Sequence, residues 1–186
     1  MEQSLWLTLI ARAAVAVAVA AALLIVPTAR GETLRQPAVQ APAPDASDVA
    51  EGMRLYQQKA NCQACHGWAA DGRKADNQMP DAPTLRDTKL GRAGLVMTIT
   101  CGRLNTSMPA FDKFAYTDGR CYGKTQADLK AYPTRMPDPP STLQPREIEL
   151  IADFLMAKVA GKGPMDHAKC VDYWGADVEA CREFPK

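Results

Sequence analysis

A chain of 186 residues has room for one domain with ancillary segments and excludes two sizeable cores. Its apolar content of 47% overstates what a folded core would hold, because much of it is alanine, valine and leucine in the first 26 residues. Taking Glu2, Arg12 and Arg30 away with residues 1–31 reduces 22 basic and 21 acidic side chains to 20 of each. That balance excludes strong steering by total charge and makes nucleic acid or an anionic bilayer surface a poor partner.

Residues Ala13 to Val26 are an unbroken apolar run behind Arg12, followed by Pro27 and small residues. This is the layout of a secretory signal, with cleavage expected after Gly31 and Ala29 two residues before it. The alternative is that Leu5 to Val26, interrupted only by Thr8 and Arg12, stays as a membrane anchor, since about 20 apolar residues suffice to span. Both readings place the remainder of the chain outside the cytoplasm, and a membrane partner enters only if the segment is uncleaved. Glu32 to Ser47, with Pro37, Pro42 and Pro44 among alanines, reads as an extended linker. A domain is expected over 48–186, divided into a core, 48–160, and a tail, 161–186.

The first helix is predicted from Asp48, as cap, to about Ala60, with Val49, Gly52, Met53 and Tyr56 on one face. A glycine inside a helix costs about 1 kcal/mol relative to alanine, so Gly52 predicts close approach of another backbone. Directly after this helix comes Cys62-Gln63-Ala64-Cys65-His66. Cys-x-x-Cys-His is the attachment sequence for c-type haem: two thiols one turn apart add to two vinyl groups, and the histidine ligates iron. A thioredoxin-like redox pair would want a βαβ pattern that the neighbouring residues lack. A zinc site would want four ligands, and the chain has only one histidine besides His66. The motif occurs once, so one covalent haem c is expected. With aromatic residues at 6%, a buried porphyrin would supply apolar bulk that the side chains do not.

From Gly67 to Asp87 turn residues dominate, predicting a loop around one haem edge. His66 needs its other ring nitrogen held, and the carbonyl of Pro83 is the candidate. Helical periodicity returns over Arg92 to Thr100, with Leu95, Val96 and Ile99 apolar and Gly102 as stop. Among eight methionines, Met108 before Pro109 is the expected second iron ligand, because a thioether suits the sixth position of a low-spin haem. Met136 in Arg135-Met136-Pro137 is its rival, and a bis-histidine site using His167 is a third possibility. Cofactor contacts are thus assigned to Cys62, Cys65, His66, Pro83 and Met108, with His66 and Met108 on the metal and no catalytic residue.

Asp112 to Pro140 reads as an ordered, proline-bearing insert. The last clear helix starts at Pro145, with Glu147 at its third position and Leu143 stapling against Ile148. Ile148, Ile151, Ala152, Leu155 and Val159 form its predicted buried stripe, with Phe154 at the border. The tail, Pro164 to Lys186, holds Cys170 and Cys181. Four cysteines beyond the haem pair allow three pairings, of which Cys101 with Cys121 and Cys170 with Cys181 are expected; free thiols are the alternative.

The Cys62 to His66 motif, the Pro83 loop, Met108-Pro109-x-Phe111 and a closing helix, in that order, resemble a class I cytochrome c over about residues 48–160. The resemblance implies a small all-α fold in which the first and last helices cross near Gly52, Tyr56 and Phe154. It also implies His66 and Met108 as axial ligands and one haem edge exposed. The insert and the disulfide-bearing tail depart from that pattern. Cys-Gly-Arg before Met108, Tyr116 and Arg120-Cys121-Tyr122 after it, and the two-cysteine tail look like bacterial periplasmic cytochromes associated with quinoprotein alcohol or methanol dehydrogenases. The function so implied is single-electron transfer in the periplasm, not enzymatic turnover. The donor would be a periplasmic dehydrogenase and the respiratory acceptor a terminal oxidase or another cytochrome. The alternative is a cytochrome subunit fixed in a membrane respiratory or dehydrogenase complex. A peroxidase or gas sensor would need a distal ligand that leaves.

Overall fold

A computed structural model of the chain describes residues 44–74 and 76–185. The signal or anchor expected for 1–31, and most of the linker expected for 32–47, lie outside the described residues. Those described fall in one compact unit, Pro42–Lys186. They form helices and loops with no strand, only an isolated bridge between Cys121 and Lys124. The predicted all-α fold is the fold observed. Among the described residues no helix is long and apolar enough to cross a membrane.

Helix α1, Ala46–Arg54, is capped by Asp45, whose carboxylate accepts from the Ser47 amide at 2.7 Å. The predicted cap, Asp48, lies instead in the first turn, where Arg146 takes its carboxylate at 2.6 Å. The helix continues as a wide π-helical turn, Leu55–Lys59, which carries the fully buried Leu55 and Tyr56. After the one-turn helix α2, Gln63–His66, no helix occurs until α3, Arg92–Cys101. A further single turn, α4, Gln126–Leu129, lies in the insert.

Helix α5, Pro145–Lys158, is the hub of the fold, packing against both α1 and α3. Pro145 opens it at a position where the missing N–H costs nothing, and the Glu147 carboxylate accepts from the Gln144 amide at 2.8 Å. The same carboxylate receives Lys59 at 2.6 Å, tying α1 to the start of α5. On the other flank Arg92 of α3 grips Asp153 bidentately, at 2.6 and 3.0 Å. Phe154, expected at the border of the buried stripe, is fully buried. The reason is that α5 is covered on more than one side: Tyr56 meets Phe154 at 5.6 Å between centroids and Tyr173 of the tail meets it at 5.7 Å.

Gly52 is the contact point between α1 and α5. A Cβ built there would stand 2.0 Å from the carbonyl oxygen of Leu150 and 2.8 Å from Cβ of Phe154. Gly52→Ala should therefore destabilise the protein by about 1–3 kcal/mol, the usual cost of overpacking, although alanine is the better helix former by about 1 kcal/mol. Denaturant unfolding checks it. A gain in stability would mean that the two helices can part without cost.

The tail is not appended to the core but completes it. Helix α6, His167–Trp174, begins at Asp166, whose side chain accepts from the Lys169 amide, and stops at Gly175. It is followed by a short 3-10 segment, Glu179–Glu183. Cys170 and Cys181 form the expected disulfide, and with Met165 and Tyr173 they belong to the same buried cluster as Phe154. No helix is foreseen after α5 in the sequence, although aspartate before and glycine after Ala168 to Trp174 are start and stop signals. Cys101 and Cys121 form the second disulfide, at the centre of a small cluster with Ala115 and Tyr116. Apart from α4, the insert is loop.

Candidate functional site

The helices and the loop between α2 and α3 enclose a cavity of about 580 Å³, within the range usual for cofactor sites, ~300–1,000 Å³. Its walls are largely apolar, with Leu85, Leu95, Ile99, Ile151 and Leu155 supplied by the loop, α3 and α5. Cys62, Cys65, His66, Pro83 and Met108 all line it. The structure thus brings every predicted cofactor-contacting residue to one cavity.

Sequence spacing accounts for the local arrangement of the first three. In α2 the amides of Cys65 and His66 both donate to the Cys62 carbonyl, at 3.2 and 2.9 Å, so one turn of helix presents both thiols and the imidazole to the same space. Cys62 and Cys65 are the only free cysteines among the described residues. Burial pushes the Cys62 thiol up to about 12 and raises that of Cys65 as well. A redox dithiol needs a stabilised thiolate, and these surroundings disfavour one.

The His66 ring stands 2.9 Å, through Nδ1, from the Pro83 carbonyl. A carbonyl can only accept, so Nδ1 carries the proton and Nε2 keeps its lone pair. Burial holds the imidazole below its ordinary pKa, against the opposing effect of the Pro83 hydrogen bond, and the Arg103 cation lowers it further. A neutral imidazole with one nitrogen held and the other free is the form that ligates a metal. The Pro83 loop is itself held by the Leu85 amide donating to the Ala70 carbonyl at 2.8 Å, and by Arg86. Arg86 is almost wholly buried, and its Nε donates to the Gly163 carbonyl at 2.6 Å, linking the loop to the chain just beyond α5.

Met108 is half-buried at the cavity wall, on the loop that leaves α3. Gly102, at φ +64°, makes that loop possible: a Cβ there would stand 2.6 Å from the Met108 carbonyl oxygen. Met136 does not line the cavity and packs beside the Cys101, Tyr116 and Cys121 cluster. His167 is also off the cavity, with Nε2 3.3 Å from the Asp177 carboxylate. Among the lining residues that the sequence does not single out for the site are Arg103, whose charge is felt at His66, and Tyr56, whose hydroxyl donates to the Gly67 carbonyl at 2.9 Å. Only the position of Arg103 directly before the Met108 loop could have signalled it.

An apolar cavity with two unpaired thiols one turn apart, an imidazole nitrogen left free and a thioether fits a covalently attached haem. No curated protein sequence and no solved structure matches this chain. Residues 47–122, from α1 through the Met108 loop to Tyr122, match the family model described as cytochrome c oxidase, cbb3-type, subunit III. The match is to a class I c-type cytochrome domain, so this part of the chain is similar to a domain that carries covalent haem and transfers electrons.

Proposed function

We propose that the chain is a single-electron carrier with one covalent haem c. Cys62 and Cys65 are its attachment points, His66 the proximal ligand, Pro83 the residue that orients it, and Met108 the distal ligand. The observation that carries this reading is the convergence of those side chains on one apolar cavity, with His66 Nδ1 fixed by the Pro83 carbonyl. Bound haem supplies the ferric/ferrous couple, and the protein supplies orientation, ligands and a dry surrounding. With both axial positions filled from the chain's own side chains, electron transfer fits better than turnover of a substrate on iron.

We place the carrier in the periplasm, supported by the apolar run before Pro27 and by the two disulfides, which suit an oxidising compartment. The donor would be a periplasmic dehydrogenase and the acceptor a terminal oxidase or another cytochrome. A quinoprotein alcohol dehydrogenase as donor rests on the resemblance of the segments around Met108 and the tail alone. A cytochrome subunit fixed in a membrane complex is a second reading, favoured by the oxidase-subunit description of the matching family. Extraction separates them: a free carrier comes away with the soluble periplasmic fraction, and a fixed subunit needs detergent.

Thioether attachment is tested directly. Denatured protein should keep its haem peroxidase stain on a gel, and His66→Ala should leave little mature protein to stain, because the iron loses the ligand that organises the pocket. Complete loss of haem into acid-acetone would sink the reading.

A further inference from the structure

The loop that carries Met108 is tied at its root by the insert on its C-terminal side. Tyr116 is buried, and its hydroxyl donates to the Cys101 carbonyl at 2.6 Å. The Tyr122 hydroxyl donates to the next carbonyl, that of Gly102, at 2.9 Å. The Cys101–Cys121 disulfide holds the same point covalently. Further out, the Thr134 amide donates to Asn105 Oδ1 at 3.1 Å, and Met136 packs against the disulfide cluster.

The last carbonyls of a helix have no partner within it, and water or a turn usually satisfies them. Here two phenols do so, at the two residues where the chain leaves α3. The direction of those two peptide planes sets the direction in which the loop leaves α3, so a movement of the loop root that swings Met108 outward would turn both carbonyls away from their donors. Tyr122 itself stands at φ +57°, a conformation rare for a bulky side chain. Strain of that kind persists where the surroundings over-determine it and points towards a role.

We propose that insert 112–140 is a clamp on the Met108 loop, and that Tyr116 and Tyr122 are positioning residues that keep the Met108 thioether facing the cavity. The proposal rests on Met108 being the distal ligand. An added ligand such as imidazole binds iron only when the thioether has left, so its apparent affinity reads the fraction of open loop. A buried carbonyl stripped of its donor shifts such an equilibrium by about tenfold.

The test is an imidazole titration of the ferric holoprotein, monitored through loss of the long-wavelength sulfur-to-iron charge-transfer band. Tyr116→Phe should bind imidazole about tenfold tighter. Tyr122→Phe should gain less, because its ring is exposed and water replaces the hydroxyl, and the double variant should exceed either. All should keep the band before imidazole is added. Should Tyr116→Phe fail to mature, Tyr122→Phe carries the test alone: a smaller but measurable gain in imidazole affinity supports the clamp, and the affinity of the parent overturns it. If the double variant has a lowered melting temperature but the imidazole affinity of the parent, the tyrosines only support the fold and the clamp is overturned. Met108→Ala separates the two levels. If it abolishes the band while the tyrosine variants behave as the parent, only the clamp fails; if it leaves band and affinity untouched, the axial assignment fails and the clamp with it.

Discussion

In the Met108→Ala protein the weak sulfur-to-iron charge-transfer band of the ferric form should disappear, while Met136→Ala should retain it. The contrast comes from position. Met108 lines the haem-sized cavity opposite no competing side chain of its own kind, whereas Met136 is packed on the Cys101–Cys121 cluster outside the lining. Losing the thioether should also lower the reduction potential, on the order of 0.1 V within the ~0.8 V that axial ligands span, because sulfur favours ferrous iron over water or nitrogen donors. The reduced variant should bind carbon monoxide rapidly, which the parent should not. Difference spectra and a redox titration measure both. Survival of the band in Met108→Ala with its loss in Met136→Ala would move the ligand to the end of the insert. A spectral change confined to His167→Ala would require the start of α6 to reach the iron, against its present pairing with Asp177.

Replacing Cys170 and Cys181 together by alanine should cost about 2–5 kcal/mol of stability, read as a shift in urea midpoint. The lower figure corresponds to closing the 11-residue separation, worth roughly 3 kcal/mol in the chain-entropy model less any structure left in the unfolded chain. The upper figure applies if the tail detaches, because its buried contacts go as well. Tyr173 packs edge-on against Phe154 and Trp68, each at 5.7 Å, and donates to the Trp68 carbonyl at 2.6 Å. Trp68 lies just past His66, so loosening the tail should make the haem motif more accessible to protease. A double variant with the parent's midpoint and cleavage pattern would show that the tail is dispensable to the core.

Much of this protein is written locally. One helical turn is enough to converge Cys62, Cys65 and His66, since residues three and four apart share a face whatever surrounds them. The start of α5 is likewise set by Pro145 and Glu147. Gly52 announces a close approach because nothing in a helix favours glycine. Other features depend on which distant surfaces meet. Phe154 reads as a border residue until Tyr56 arrives from one side and Tyr173 from the other. Arg86 has no sequence signal for burial, and it lies inside only because the Gly163 carbonyl returns to meet it across 77 positions. The choice between Met108 and Met136, both followed by proline, could not be read from spacing, because it turns on where the insert folds. The tertiary structure sends Met136 to the disulfide cluster and leaves Met108 at the cavity. Local geometry needs only the chain's own short-range sterics, whereas burial, and which methionine reaches the cavity, are decided when long loops close and one face covers another.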